Sequence, residues 1–271
     1  MDRLSSIQRA DKKFTTSGSQ PIRVVASDVE SYICKYPTSI GNVKLVNELI
    51  GYQFALCWGI NTPEMAFIDV SRDHLPEEYL GGGLSYVSIE KPLIGSKVIP
   101  NAIDVADRLL DEMGSSDLKK FNKKELINIA LFDIWLSNDD RNHNNCNLLI
   151  KEQKGIRNLY AIDHEAIFNS SDLSRGIFEL SYEDSLIYSG VFHKLIKKSS
   201  PNIQLIKEID TSLHEKVNAC YDQLDDILNL IPDEWNVNTA DLKNRLHQNI
   251  FSNNWLKSVS GTFNEFASLT L

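Results

Sequence analysis

The feature that most constrains the fold of this chain is a change of hydrophobic pattern near Pro100. Before it, short β-branched and aromatic runs alternate with turn residues, a pattern typical of strands, and one amphipathic segment stands among them. After it, apolar residues recur at helical spacing over long segments, with one hairpin-like interruption. We therefore predict an α+β fold, with a β-rich unit over residues 1–100 and a mainly helical unit over residues 101–271.

The first unit contains strand candidates and one helix candidate. Four apolar runs bounded by turn residues are predicted strands of one sheet: Ile22–Ala26, Tyr32–Lys35, Met65–Val70 and Leu84–Ile89. Between them, Asn42–Trp58 carries apolar residues at four-residue steps and is followed by Gly59, which predicts an amphipathic helix.

The second unit is predicted to be helical apart from one hairpin. Five segments have the helical period: Ala102–Met113, Lys123–Leu136, Glu183–Ile196, Ile203–Leu230 and Thr239–Val259. Asn147–Ile150 and Leu159–Ile162 lie on either side of a Lys-Gly turn, so we predict a short hairpin embedded among the helices.

Charge and composition exclude several classes of function. The chain has 28 basic and 37 acidic side chains and a net charge of −9, which argues against a nucleic-acid partner. Because it has no apolar run long enough to span a membrane and residues 1–13 lack the apolar segment of a signal peptide, we expect no membrane partner and a cytoplasmic location. The four cysteines are widely spaced, which indicates reduced thiols.

The densest polar run, Asn138–Asn147, follows a predicted helix and leads into the hairpin, whose second strand ends at Asp163. A solvated loop would explain the run alone. However, Asp140, an Asn a few residues later and Asp163 across the hairpin form the ligand set that phosphoryl transfer uses. One carboxylate orients the attacking hydroxyl, and an Asn oxygen with a second carboxylate suits Mg²⁺. The pattern therefore favours a phosphoryl-transfer site.

The first unit contains the residue types that would bind a nucleotide. Lys35 ends a predicted strand and Glu48 lies in the next helix, so the two could form the ion pair that holds nucleotide phosphates. The small turn Ser17-Gly18-Ser19-Gln20 could bring backbone close to a phosphate. Singly, such residues are more often surface groups, and their order along the chain is what indicates a nucleotide site.

The blocks that carry these residues resemble the HipA-like kinase family over about residues 15 to 257. They are Val24–Asp28, Tyr32–Pro37, Val46–Leu49, Phe67–Val70, Ile94–Lys97, Phe132–Arg141, Asn147–Leu149, Ile162–His164 and Ile231–Trp235. The resemblance points to the compact, single-chain branch, without the extra N-terminal subdomain of the longer HipA toxins. It implies a bilobal protein-kinase-like fold related to the lipid kinases, with a small β-rich N-lobe and a mainly helical C-lobe.

The resemblance also implies a function, because characterised members phosphorylate Ser in proteins, including aminoacyl-tRNA synthetases. We expect transfer of the ATP γ-phosphate, with Mg²⁺, to a Ser or Thr hydroxyl of a protein acceptor, and the family leaves room for a regulatory protein partner. The resemblance implies that Asp140 orients the acceptor and that Asn145 and Asp163 bind Mg²⁺. It implies that Lys35, held by Glu48, contacts the phosphates, and that Ser17, Gly18 and Ser19 belong to a phosphate loop. It also places a linker that includes Gly95 and Ser96 near the adenine.

Departures from the family pattern leave two assignments open. The usual Asn-Thr-Asp-Arg-His reads Asn138–Asn142 here, with Asp in place of Thr and Asn in place of His. Adjacent carboxylates repel each other, so either Asp139 or Asp140 could be the functional one, and the following Arg favours Asp140. The metal-binding Asn is open among Asn144, Asn145 and Asn147, since spacing favours the second and adjacency to the strand favours the third.

Other functions compete with this interpretation. A pseudokinase or nucleotide-binding interaction module would keep the fold without turnover, and a small-molecule hydroxyl could replace the protein acceptor. A metal site of His143, Cys146 and His164 lacks a second pair at zinc spacing. Self-phosphorylation at Ser17 or Ser19 would add charge beside the nucleotide and expel the phosphate loop, although serine is also simply a good turn residue.

Overall fold

A computed structural model describes residues 1–15, 19–38, 41–106 and 110–271 of the chain. It confirms the α+β class, because a β-sheet region comes first and the remainder is mainly helical. Among these residues, no helix combines the length and the apolar character needed to cross a bilayer.

The larger sheet contains six strands in the described part of the chain. They are β1 (Arg3–Ser5), β2 (Lys12–Lys13), β3 (Ile22–Val25), β4 (Ser31–Lys35), β5 (Met65–Asp69) and β6 (Leu93–Lys97). The spatial order is β1-β5-β6-β4-β3-β2, with β1 parallel to β5 and the other neighbours antiparallel. One face of the sheet packs with helix α1 (Val43–Cys57) in the main core, and the other forms a smaller core beneath residues 70–92.

The predicted strand over Leu84–Ile89 is wrong. This segment contains a 3₁₀ helix, Val87–Glu90, and the strand that joins β4 to β5 is β6 instead. The reason is local: Ser85 and Ser88 exchange hydrogen bonds between their side chains and backbone N–H groups, which favours a turn over an extended ladder.

The smaller sheet contains the predicted hairpin. Strands β8 (Leu148–Gln153) and β9 (Ile156–Ala161) are antiparallel and are joined by the Lys-Gly turn, where both residues have positive φ. A short strand, β7 (Ile103–Asp104), pairs with β8, so the predicted helix over Ala102–Met113 is wrong at its start. The backbone groups of β7 bond across to β8 and are not available to a helix.

Several of the helices after residue 110 pack against the buried helix Lys123–Leu136. The bounds of the described helices in this part are α2 (Ser115–Leu118), α3 (Lys123–Leu136), the short turn α4 (Ile167–Ser170), α5 (Gly190–Leu195), α6 (Ser200–Thr211), α7 (Leu213–Asp222), α8 (Leu224–Leu228), α9 (Thr239–Gln248) and α10 (Asn253–Thr270). Further 3₁₀ turns cover Arg72–His74, Glu77–Tyr79, Leu186–Tyr188 and Asp233–Trp235. The prediction for α3 is confirmed, whereas the three long helices predicted after residue 183 are each broken into shorter elements.

Candidate active site

Lys35, the last residue of β4, contacts three carboxylates, of which Glu48 and Glu165 are buried. Its Nζ is 2.9 Å from Glu48 Oε2, 2.5 Å from Asp163 Oδ1 and 3.1 Å from Glu165 Oε2. Burial alone would lower the pKa of Lys35, but Asp163, Glu48 and Glu165 together raise it well above its ordinary value. The lysine is therefore held as a cation at the junction of the two sheets.

The predicted pair of Lys35 and Glu48 is brought together because α1 begins only a few residues after β4 ends. Glu48 is buried and also accepts a hydrogen bond from the backbone N–H of His164 at 2.8 Å. Burial raises the pKa of Glu48, and the neighbouring lysine opposes that rise. Glu48 thus joins β4 and α1 to the segment that follows β9.

Asp163 lies just beyond β9 and has a positive φ of 59°. The backbone N–H of Ile162 donates to the carbonyl of Asn147 at 3.0 Å, which fixes the end of the hairpin strand beside the polar loop, residues Asn138–Asn147. A left-handed conformation is uncommon for a non-glycine residue, and here it accompanies a carboxylate that contacts Lys35.

Asp140 lies in the same cavity as Asp163, and the cavity has a volume of about 390 Å³. Asp140 Oδ2 accepts hydrogen bonds from Asn145 Nδ2 at 3.1 Å and from Asn147 Nδ2 at 3.0 Å, and both Asn residues line the cavity. The choice between these two as the metal-binding Asn therefore stays open. Asn144 is exposed, and its backbone N–H donates to Asn142 Oδ1.

Asp139 faces the same cavity as Asp140. Its Oδ1 accepts a hydrogen bond from Ser170 Oγ at 3.2 Å. Burial raises the pKa of Asp139, which is the behaviour of a carboxylate able to take up a proton. The structure thus gives the two adjacent carboxylates different partners, an Asn pair for Asp140 and a serine hydroxyl for Asp139.

The carboxylate and amide oxygens in this cavity fit Mg²⁺, which prefers oxygen ligands and takes few of them from protein when phosphates supply the rest. For the alternative zinc site, no three His, Cys, Asp or Glu side chains in the described ranges converge to hold a metal ion. His143 Nδ1 lies 3.1 Å from the carbonyl of Glu183, while His164 is buried near Arg141.

A larger cavity of about 520 Å³ lies between the two sheets and also reaches Lys35 and Asp163. Apolar side chains from both sheets line it: Ile33, Ile94, Leu149 and Ile162. Such a surface suits a flat heteroaromatic base, so the two adjoining cavities offer an apolar part and a polar part.

Among the described residues, those predicted as the phosphate loop and those predicted as the linker lie in different parts of the structure. Ser17 and Gly18 lie outside the described residues, and Ser19 lines the polar cavity. Ser96 lines the apolar cavity. A Cβ added at Gly95 would lie 2.8 Å from Ile68 Cγ1, so the open side of this glycine faces the smaller core. Both belong to strand β6, and the interpretation of this segment as a linker is wrong because it pairs on both sides.

Sequence reasoning missed a buried ion pair that supports the polar loop. Arg141 is fully buried, pairs with Asp133 of α3, and donates from Nη2 to the carbonyl of Ile162 at 2.7 Å. Burial raises the pKa of Asp133 to about 6, although Arg141 opposes the rise. The pair ties α3 and the polar loop to the strand that delivers Asp163.

Sequence reasoning also missed Glu165, Lys44 and Asn47. Glu165 bridges two cations, since its Oε1 lies 2.8 Å from Lys44 Nζ and its Oε2 lies near Lys35. Asn47 of α1 is buried and donates from Nδ2 to the carbonyls of Glu165 and Ile167, at 3.3 and 3.1 Å. The sequence showed only that these three residues lie close to Glu48 or Asp163 along the chain. Which residues they contact depends on the fold.

Comparisons with known proteins show the family and the fold of the chain. A family model described as HipA-like kinase matches residues 7–265. The crystal structure of a Helicobacter pylori proinflammatory kinase, CtkA, aligns with a TM-score of 0.52 and 12% identity over 99% of both chains, which shows a shared fold. A Golgi casein kinase with Mn/ADP bound aligns over 99% of this chain and 72% of that chain at 9% identity, but its TM-score of 0.45 supports no conclusion. No curated protein matches the chain.

Proposed function

Because this chain belongs to the HipA-like kinase family, we propose that it transfers the γ-phosphate of ATP, with Mg²⁺, to a Ser or Thr hydroxyl of a protein. The observation that carries the proposal is the contact of Lys35 with Asp163, which are 128 residues apart in the chain and 2.5 Å apart in the cleft that the two adjoining cavities form. Phosphoryl transfer needs a cation for the phosphates and a carboxylate for the metal at one place.

Each residue of the cleft would have a separate role in phosphoryl transfer. Lys35 would bind the α- and β-phosphates while Glu48 keeps its ammonium group in position. Asp163 would hold Mg²⁺ together with Asn145 or Asn147, and the ion neutralises charge on the phosphates when bound. Asp140 would orient the acceptor hydroxyl and accept its proton.

Incubation of the purified protein with labelled ATP, Mg²⁺ and a mixture of acceptor proteins tests this proposal. Asp163→Ala should abolish metal-dependent turnover with the fold intact, and Asp140→Ala should lower transfer by about 10²-fold or more while sparing ATP affinity. Asp226→Ala, at an exposed position in α8, is the control and should leave transfer unchanged.

Retained transfer in either active-site variant would show that its role is wrongly assigned. Nucleotide binding by the wild-type protein without transfer or hydrolysis would favour the interaction module instead. Transfer to small hydroxyl compounds but to no protein would replace the acceptor class and keep the chemistry.

The organisation of the chain is part of the same proposal. We place the boundary between the N-lobe and the C-lobe near residue 100, because β6 ends at Lys97 and β7 pairs with the hairpin of the second unit. Three further statements stay predictions: the protein is cytoplasmic, it binds no nucleic acid, and it has a regulatory protein partner.

A further inference from the structure

An exposed serine of the chain presents its hydroxyl to Asp139 in the polar loop. Ser170 Oγ donates to Asp139 Oδ1 at 3.2 Å. Ser170 also lines the 390 Å³ cavity together with Asp140 and Asp163. A hydroxyl within hydrogen-bond reach of a carboxylate, in the cavity that Asp140 and Asp163 also line, meets the geometric requirement for removal of its proton by a general base.

The turn that carries this hydroxyl has an uncommon backbone. Phe168, Asn169 and Ser170 have φ values of 61°, 53° and 56°, so three successive non-glycine residues are left-handed. Such conformations persist only where the surrounding structure enforces them, and they concentrate at functional sites.

Contacts on both sides hold the turn in place. The backbone N–H of Asn169 donates to the carbonyl of Ser137 at 3.0 Å, and its side-chain amide makes two hydrogen bonds to the backbone of Phe178, at 3.2 and 2.9 Å. From α1, Asn47 Nδ2 donates to the carbonyl of Ser171 at 3.1 Å. The turn is therefore a fixed support that keeps the Ser170 hydroxyl beside Asp139.

We propose that Ser170 is a site of self-phosphorylation within one molecule, an inference that rests on the proposed kinase function. Ser170 Oγ attacks the γ-phosphorus of bound ATP and forms a new O–P bond. The bond from the γ-phosphorus to the β,γ-bridging oxygen breaks, and ADP leaves with that electron pair. The hydroxyl proton passes to the Asp139 carboxylate. This site is distinct from the phosphate-loop serines, because it lies on the C-terminal side of Asp163.

Two neighbouring serines provide matched comparisons in the same tryptic peptide, residues 158–175. Ser174 is exposed and is not among the residues that line the cavity. Ser171 Oγ donates to the carbonyl of Phe168 at 2.7 Å and so belongs to the internal bonding of the turn. Ser170 and Ser174 are both exposed, but only Ser170 lines the cavity. Phosphate on Ser170 and not on Ser174 would therefore result from its position in the cavity.

The test incubates the full chain with ATP and Mg²⁺ over a tenfold range of protein concentration and follows peptide 158–175 by mass spectrometry. We expect phosphate on Ser170 with a first-order rate constant that does not change with protein concentration. Ser170→Gly, which suits the positive φ, should lose the phosphate, and Ser174→Gly should keep it. Asp139→Asn should slow the reaction by about 10²-fold or more.

Three results would overturn the inference: no phosphate on Ser170, phosphate spread equally over the three serines, or a rate constant proportional to protein concentration. Transfer to an added acceptor protein is measured in the same samples. Transfer to that acceptor with Ser170 unmodified overturns this inference and leaves the proposed function standing. If neither transfer occurs, both are wrong.

Discussion

Lys35 is the residue on which the charges of the site converge. It is 12% exposed and contacts three carboxylates, whereas the second cation of the cleft, Lys44, is 57% exposed and contacts only Glu165 among the ion pairs of the described residues. Loss of the buried cation leaves the buried Glu48 carboxylate without a cation, whereas loss of the exposed one leaves Glu165 still in contact with Lys35.

Lys35→Met should therefore abolish transfer and lower the free energy of unfolding at pH 7 by about 3 to 5 kcal/mol. The deficit should shrink at pH 5, because burial already raises the pKa of Glu48 and protonation relieves the repulsion among the carboxylates. Urea titration at both pH values measures it. Lys44→Met is the control and should lower stability by less than about 1 kcal/mol. Equal losses for the two variants would contradict the account.

His164 makes stability depend on pH in a direction that can be stated. It is buried, its Nδ1 lies 3.5 Å from Arg141 Nη2, and burial together with the Arg141 and Lys35 charges lowers its pKa well below 6.5. Above pH 6.5 the histidine is neutral in both the folded and the unfolded chain. Below it, only the unfolded chain binds the proton, so stability falls as pH falls.

The contribution of this one proton should approach 1.4 kcal/mol per pH unit, about the limit for a single group, between pH 6.5 and 5. His164→Gln should remove that component of the slope in denaturation measured from pH 7.5 to 5. His143→Gln, at an exposed position, should keep it. An unchanged slope in His164→Gln would show that the buried ring is not the source.

Among the contacts between elements, helix α1 approaches the segment after β9 closely at Gly51, which has no side chain. A Cβ added at Gly51 would lie 2.4 Å from the Cβ of His164, the neighbour of Asp163. Gly51 is in the interior of α1, where glycine is otherwise unfavourable. Close approach of α1 to the segment that contains Asp163 and His164 explains why glycine occupies this position.

Gly51→Ala should therefore lower stability by about 1 to 3 kcal/mol, the usual effect of overpacking, although alanine favours helices by about 1 kcal/mol. Transfer should fall at least about tenfold, because His164 can move only with Asp163. Gly261→Ala in α10, where an added Cβ meets nothing within 4 Å, should instead raise stability by about 0.5 to 1 kcal/mol. Thermal denaturation distinguishes the two, and stabilisation by both would contradict the contact.

Elements with a local signal could be predicted from sequence. Helix α1 spans Val43–Cys57 against an expectation of Asn42–Trp58, and the hairpin of β8 and β9 falls where its turn placed it. Strands defined by distant partners could not be predicted. β1 pairs with Phe67–Asp69, far along the chain, and β7 pairs with β8 through only two residues. Short segments of this kind have no periodicity of their own.

At the scale of the whole molecule, the order of the motifs predicted which residues meet but not how they are supported. Lys35, Glu48 and Asp163 converge as expected. The expectation came from their order along the chain and from the family resemblance. The Asp133–Arg141 pair could not be predicted, since burial of both side chains follows from packing among helices. A sequence pattern gives residue types and spacing, and tertiary structure decides partners.

Aromatic packing fixes the two sides of the cleft relative to each other. Trp58, which follows α1, stacks on Trp135 of α3 with ring centroids 5.2 Å apart, and Phe54 lies 5.3 Å from the same ring. The Trp135 indole also donates to the carbonyl of Ile250 at 2.9 Å. The helix that carries Glu48 is thus packed against the helix that leads into the polar loop.

We propose that one cleft binds Mg²⁺ and the phosphates of ATP between Lys35 and Asp163. A crystal structure of the protein with a non-hydrolysable ATP analogue and Mg²⁺ would show whether it does. We predict the base against Ile33 and Ile94, the phosphates on Lys35, and the ion on Asp163 with Asn145 or Asn147. A nucleotide bound elsewhere, or a metal ion with no contact to Asp163, would contradict the account.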